Sequence, residues 1–151
     1  MYNHEPADYD CPFCREDPAR ATRPLEILRR YQRVTVRLNP KWWPNNPGSA
    51  LVVPHDHHEN VYDLPADLGT PMQQAIRDTA LALKTAFDCA GVSTRQHNEP
   101  AGNQDVWHYH LHVFPRFRDD GLYGTRGDWV DADRMRTYAD RIRAAWPTSD
   151  V

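Results

Sequence analysis

Three histidines, His108, His110 and His112, alternate with Tyr109 and Leu111 in the stretch Trp107-His-Tyr-His-Leu-His-Val-Phe-Pro115. Successive side chains of a strand point to opposite faces, so an extended backbone here puts the imidazoles on one face, about 7 Å apart. Trp107, Tyr109, Leu111 and Val113 share the other face and suit a core. Each imidazole can donate, accept, bind a metal or attack phosphorus. A neutral imidazole is a good nucleophile at pH 7, and its phosphoramidate adduct is labile enough to turn over. One histidine would attack while a same-face neighbour donates to the charged non-bridging oxygens. A metal held by all three is the competing chemistry. A Glu a few residues downstream, which such a site would want, is absent from Leu111-His-Val-Phe-Pro-Arg116.

Other segments carry chemistry of their own. Cys11-Pro-Phe-Cys14 can clasp one tetrahedral zinc with two thiolates. It can also form a redox pair, and it is close to the glutaredoxin sequence. A redox pair of that kind should follow a strand and open a helix. No strand is predicted before Cys11, and Pro18 and Pro24 follow, so zinc is favoured, with two unliganded cysteines as the plain alternative. The turn Asn98-Glu-Pro-Ala-Gly-Asn-Gln104 feeds the histidine stretch, and its backbone amides and amide side chains can hold an anion. An ordinary hairpin turn would look the same; the adjacent histidines favour phosphate. His55-Asp-His57-His58 hints at a metallo-hydrolase cluster, but the spacing is wrong and a second acid is missing. Cys89 reads as a small buried hydrophobe.

The chain of 151 residues is most simply one domain with a real core. A net charge of -3 argues against a general nucleic-acid coat. No apolar run approaches the ~20 residues needed to cross a bilayer. The start, Met1-Tyr-Asn-His-Glu-Pro6, has neither a basic nor an apolar segment, so no signal peptide is expected. Three cysteines imply no disulfide framework, and a cytoplasmic location fits.

Elements must position these groups. Residues 1–24 read as an irregular arm. Leu25–Tyr31 and Arg33–Leu38 read as strands, and 39–48, with three prolines and Gly48, as a loop carrying Trp42 and Trp43. These tryptophans suit stacking on a base, a subunit contact or cover for the core. Ala50–Val53 is a short strand. Pro65–Ala90 is a helix, with Met72, Ile76, Ala80, Leu83, Phe87 and Ala90 on one stripe and Gly91 as its stop. Val92–His97 is a strand and Arg116–Asp128 a mobile loop. Val130–Trp146 is a second helix, capped by Asp128 or Asp131. The last five residues are tail.

His108-Tyr-His110-Leu-His112-Val-Phe, with Gly102, Gln104 and Val106 before it and Pro115-Arg116 after it, resembles the motif of the histidine triad (HIT) nucleotide-binding proteins. Leu51-Val-Val-Pro54-x-x-His57 resembles a second segment of that family. The resemblance covers roughly residues 9–128. It implies an α+β fold: an antiparallel sheet of about five strands with one long helix across it and a C-terminal helix. Residues 1–151 form a single domain on this reading, with 1–24 as a zinc-tethered arm and 128–151 as C-terminal helix and tail. It also implies that His110 attacks the α-phosphate and that His112 donates to it. Asn98, Asn103 and Gln104 would line the phosphate, and Asn39 would hold the ribose. Cys11, Cys14, His57 and His108 would bind structural zinc, with no catalytic metal. A homodimer acting on a purine nucleotide is implied, with no nucleic-acid or membrane partner. Two departures stand out. Asp105 occupies a place where Ser or Thr is usual, which puts the leaving group in question and suits an amine. The turn reads Gly102-Asn-Gln104 where Gly-Gln is usual, which loosens the register of Asn98.

The expected activity is hydrolysis or transfer at the α-phosphate of a nucleoside phosphoramidate or dinucleoside polyphosphate. A nucleotide-binding module with little turnover is the alternative. A zinc hydrolase using metal-bound water is disfavoured, because Cys₂His₂ ligation closes the shell.

Overall fold

The computed structural model describes residues 2–15 and 24–148; the readings made above for residue 1, for 16–23 and for 149–151 of the tail lie outside it. Its centre is a five-stranded antiparallel sheet in the order β1-β2-β4-β6-β5. The strands are β1 (Ile27–Arg30), β2 (Val34–Leu38), β4 (Ala50–Pro54), β5 (Gly91–Gln96) and β6 (Leu111–Arg116). The expected α+β architecture is the observed one. A two-stranded ribbon, β3 (Lys41–Trp42) with β7 (Asp128–Trp129), joins the two segments read as loops. Its partners lie far apart in sequence, and neither strand has a periodic signal.

Every residue of β2 and β4 is buried, so both faces of the sheet centre are covered. Val34, Val36, Leu38, Ala50, Val52 and Val113 point to the helices. Fully burying each large apolar side chain of this set stabilises by about 1.5–3 kcal/mol. Helix α1 (Gly69–Phe87) lies on that face through Met72, Ala75, Thr79, Ala82 and Leu83. Helix α2 (Ala132–Ala144) adds Met135, Ala139 and Ile142, and Asp131 caps it by accepting from the Arg134 N–H at 2.9 Å. Helix α1 stops earlier than Gly91: Asp88 takes the left-handed conformation (φ 49°) and its N–H bonds to the Lys84 carbonyl. A 3-10 turn, Ala66–Leu68, precedes it. Gly48 is required where it stands, since a Cβ there would meet the Phe87 ring at 2.7 Å.

The opposite face of the sheet carries a smaller cluster in which Cys11 and Phe13 of the arm pack on Leu51 and Val53. The arm is held further by Glu59, whose carboxylate accepts from the backbone N–H groups of His4 and Glu5. No helix among the described residues is long and apolar enough to cross a membrane.

Candidate active site

The pairing of four strands sets one row of side chains across the sheet. Arg37 is opposite Leu51, Leu51 opposite His112, and His112 opposite Arg95. Neighbouring strands stand about 4.8 Å apart, so the row is a ladder of known pitch. It faces the arm, away from the helices. Along β6 the same face carries Phe114, whose ring stacks on that of His112 with centroids 5.6 Å apart.

One expectation needs correction. Only His112 lies within a strand; β6 begins at Leu111, and His108 and His110 precede it. The ladder stops there for a local reason. The Tyr109 N–H bonds to the His58 carbonyl at 2.6 Å, and His108 Nε2 lies 2.9 Å from the Pro54 carbonyl, so a side chain takes the partner that a ladder amide would have. The alternation survives in part. Tyr109 and Val113 are buried in the main core, and Leu111 packs against it. Trp107 lies instead beside His4, with ring centroids 5.9 Å apart.

His110 is 4% exposed. Its Nδ1 lies 2.7 Å from the His108 carbonyl, which can only accept, so Nδ1 carries the proton in the neutral ring. The lone pair is then on Nε2, which lies 3.5 Å from an Asp105 carboxylate oxygen. When His110 is doubly protonated, its Nε2–H donates to Asp105, and that hydrogen bond holds the carboxyl down at about 2. The His112 ring lies 5.2 Å from that of His110. Burial pushes the His112 pKa down to about 3, so the ring is neutral at ordinary pH. Its Nδ1 is buried with no hydrogen-bond partner among the described residues.

These groups open on a cavity of about 750 Å³. Arm residues Pro12 and Phe13 form one wall, and Lys41, Trp43, Arg126 and Trp129 of the ribbon region form another. The lining holds Arg15, Arg37, Lys41, Arg95 and Arg126 against a single carboxylate, Asp105. A protein of net negative charge thus concentrates positive charge in this one hollow, which suits an anionic ligand.

The residues expected from sequence divide. Asn39, Asn103, His110 and His112 line the cavity. Asn39 is buried, and its Oδ1 accepts from the Lys41 N–H at 3.1 Å. Asn98 and Gln104 are not among the lining residues, and their amides are committed elsewhere. Asn98 Oδ1 accepts from the Val61 N–H at 2.8 Å. Gln104 Nε2 donates to the Glu59 and Val106 carbonyls at 2.6 and 3.0 Å, and its Oε1 accepts from the Glu99 N–H. Both brace the turn. His97, one residue earlier, does line the cavity, with its ring 5.9 Å from that of His112. Sequence reading missed His97, Arg95, Arg37 and Phe13. The parity of β5 could have found the first two, since Ser93, Arg95 and His97 share a face.

Cys11, Cys14, His57 and His108 converge, with one ligand atom from each inside 4.8 Å of the others. Cys11 Sγ is 3.3 Å from His108 Nδ1, and Cys14 Sγ is 3.2 Å from His57 Nδ1. Ligand atoms around one tetrahedral zinc, at about 2.3 Å for sulfur and 2.0 Å for nitrogen, stand roughly 3.6 Å apart, so the set fits that ion. The far nitrogens are fixed as well: His108 Nε2 by Pro54, and His57 Nε2 by the Glu5 carboxylate. Burial pushes the His108 pKa down to about 4, which keeps the ring in its ligating form.

Comparison with known proteins gives the same picture. The HIT domain model matches residues 26–119, more than half of the chain. "Protein hit" of Bacillus subtilis (strain 168) is 36% identical over 76 residues, which cover 50% of this chain and 52% of that protein. The chain thus spans about half the length of that curated relative. A HIT-like protein of Bartonella henselae, described as involved in cell-cycle regulation, superposes with a TM-score of 0.74 at 30% identity, covering 81% of this chain and 87% of that one. A Zn-bound histidine triad family protein of Mycobacterium smegmatis gives 0.74 at 27% identity, over 90% of this chain and 92% of that one. With its histidine row, its sheet and this match in agreement, the chain belongs to the HIT domain family.

Proposed function

We propose that the protein hydrolyses or transfers at the α-phosphate of a purine nucleotide derivative and releases a nucleoside monophosphate. The observation that carries this is the state of His110. Its Nδ1 proton is engaged by the His108 carbonyl, which leaves Nε2 as the nucleophilic atom beside the cavity. Nε2 attacks phosphorus, the P–O or P–N bond to the leaving group breaks, and the leaving group takes up a proton. Water then cleaves the nucleotidyl-histidine bond and restores His110. Neutral His112 donates an N–H to a non-bridging oxygen, and Asn39 bonds the ribose hydroxyls. Cys11, Cys14, His57 and His108 hold zinc, which fixes the arm against the site and takes no part in the chemistry.

The test is release of amine from an AMP phosphoramidate, and of AMP from a dinucleoside polyphosphate. His110→Ala should lose several powers of ten in rate while remaining folded. Equal rates in the two proteins would overturn the reading. Asp105 favours a second one, a nucleotide-binding module with little turnover, because its carboxylate repels phosphate at the point of attack. AMP binding by a wild type inert toward both substrates would select it. The protein acts as a homodimer on this proposal; β5 ends the sheet as an open edge, and sedimentation gives the mass.

A further inference from the structure

Arg95 is packed among three aromatic rings. Its guanidinium lies 5.5 Å from the ring centre of Trp43, 5.2 Å from Phe114 and 5.7 Å from Tyr123. Three aromatic faces fix the plane of the group but accept none of its in-plane N–H bonds. Among the described residues no carboxylate or carbonyl bonds it. Arg116, on the same sheet face, differs: Asp120 takes its Nε at 2.7 Å and its Nη2 at 2.9 Å. Arg95 is therefore positioned, charged and unspent, and it lines the cavity.

Its place follows from register. Arg95 is the direct cross-strand partner of His112, one strand spacing away, about 4.8 Å between backbones. Arg37 lies on the other side of His112, two strands away beyond Leu51, near Asn39 and under Phe13. With Asn39 as the ribose ligand of the proposed chemistry, Arg95 falls on the other side of His112, the side left to the leaving group. A planar guanidinium with its fork free is matched to a phosphate, and it would be badly matched to a departing ammonium.

Resting on the proposed chemistry at His110 and His112, we infer that Arg95 binds the phosphate next after the reacting α-phosphate. The leaving group is then a phosphate chain, as in a nucleoside or dinucleoside polyphosphate, and an amine is the disfavoured alternative. Asp105 repels phosphate at the point of attack and is outnumbered there. It lies at Nε2 of His110 with a side chain 72% exposed, at the mouth of the site, and one carboxylate faces five cations in the lining.

Binding tests the inference independently of turnover. Wild type should bind ADP at least about tenfold tighter than AMP, because ADP alone offers the second phosphate. Arg95→Met should abolish that preference, and Arg95→Lys should restore part of it. With turnover, the ratio of kcat/KM for diadenosine polyphosphate over AMP phosphoramidate should fall at least about tenfold in Arg95→Met. Denaturation midpoints verify that both variants are folded. Equal affinity of wild type for ADP and AMP, or an unchanged ratio in Arg95→Met, would overturn the role of Arg95. Failure of His110→Ala to lose activity would overturn the covalent step while leaving the ADP preference as evidence for the subsite.

Discussion

Phe13 sits between the two cysteines of the arm and packs edge-on against His110, with ring centroids 5.2 Å apart and planes at 69°. The residue between Cys11 and Cys14 is thus also a wall of the cavity. Replacing it with Ala removes the contact that holds the imidazole plane. Phe13→Ala should lower kcat about tenfold, and Phe13→Leu should recover most of the loss. Steady-state kinetics decide it; a kcat unchanged in Phe13→Ala would detach the arm from catalysis.

Metal analysis of purified protein should give close to one zinc per chain, lost in Cys11→Ala. Chelation should also remove amide-exchange protection from residues 2–15, because the arm and the His108 segment share the ligand set. A metal-free protein whose arm stays protected would contradict this.

Stability should fall as the pH drops below about 6.5. The folded pKa of His112 is pushed down to about 3, below its value of about 6.5 in the unfolded chain, so the unfolded state gains the proton first. The slope attributable to this group is about 1.4 kcal/mol per pH unit down to the folded pKa, as an upper bound. Urea midpoints at pH 7 and pH 5 measure it, and His112→Asn should lessen the dependence, leaving the part due to His108, whose pKa burial also lowers. A flat wild-type profile would refute it.

Asp105→Asn should tighten AMP binding about fivefold, roughly 1 kcal/mol, by removing a like charge from the phosphate position beside His110 Nε2. Weaker binding in calorimetry would mean that the carboxylate assists the ligand.

Asp120 is buried and accepts from Arg116, from the Phe117 and Leu122 N–H groups and from Asn46. Asp120→Asn should cost about 3 kcal/mol of stability. Arg116 holds the Asp120 carboxyl well below the usual range. Its contribution is therefore complete above about pH 4 and is lost as pH falls through that range toward the folded value. A denaturation midpoint within error of wild type would dismiss the network.

The sequence made some of this legible and hid the rest for physical reasons. Alternation in Val34, Val36 and Leu38 and the stripe through Met72 and Leu83 are local signals, and both elements formed, the helix over Gly69–Phe87 rather than the whole of Pro65–Ala90. Cys11, Cys14, His57 and His108 were legible through resemblance and do converge. The break before Leu111 was not, because it depends on a carbonyl at His58 and another at Pro54, some fifty residues away. The pairing of Lys41 with Trp129 is equally non-local. Asn98 has the chemistry of a phosphate ligand, but its Nδ2, the donor a phosphate would need, bonds Gln96 Oε1 at 2.7 Å. Arg37 looks like the solvent-facing residue of an alternating strand, and the packed arm buries it.

The β3–β7 ribbon has a dynamic consequence. The sheet side of the cavity rests on strands with every residue buried, whereas both residues of β7 are exposed and pair with β3 over two positions. Local opening of so short a pairing costs far less than global unfolding. The ribbon wall is therefore the one expected to open first. Lifting 125–129 away from Lys41 would widen the cavity while Arg37, Leu51 and His112 keep the register of β2, β4 and β6, so a ligand could enter without disturbing that row.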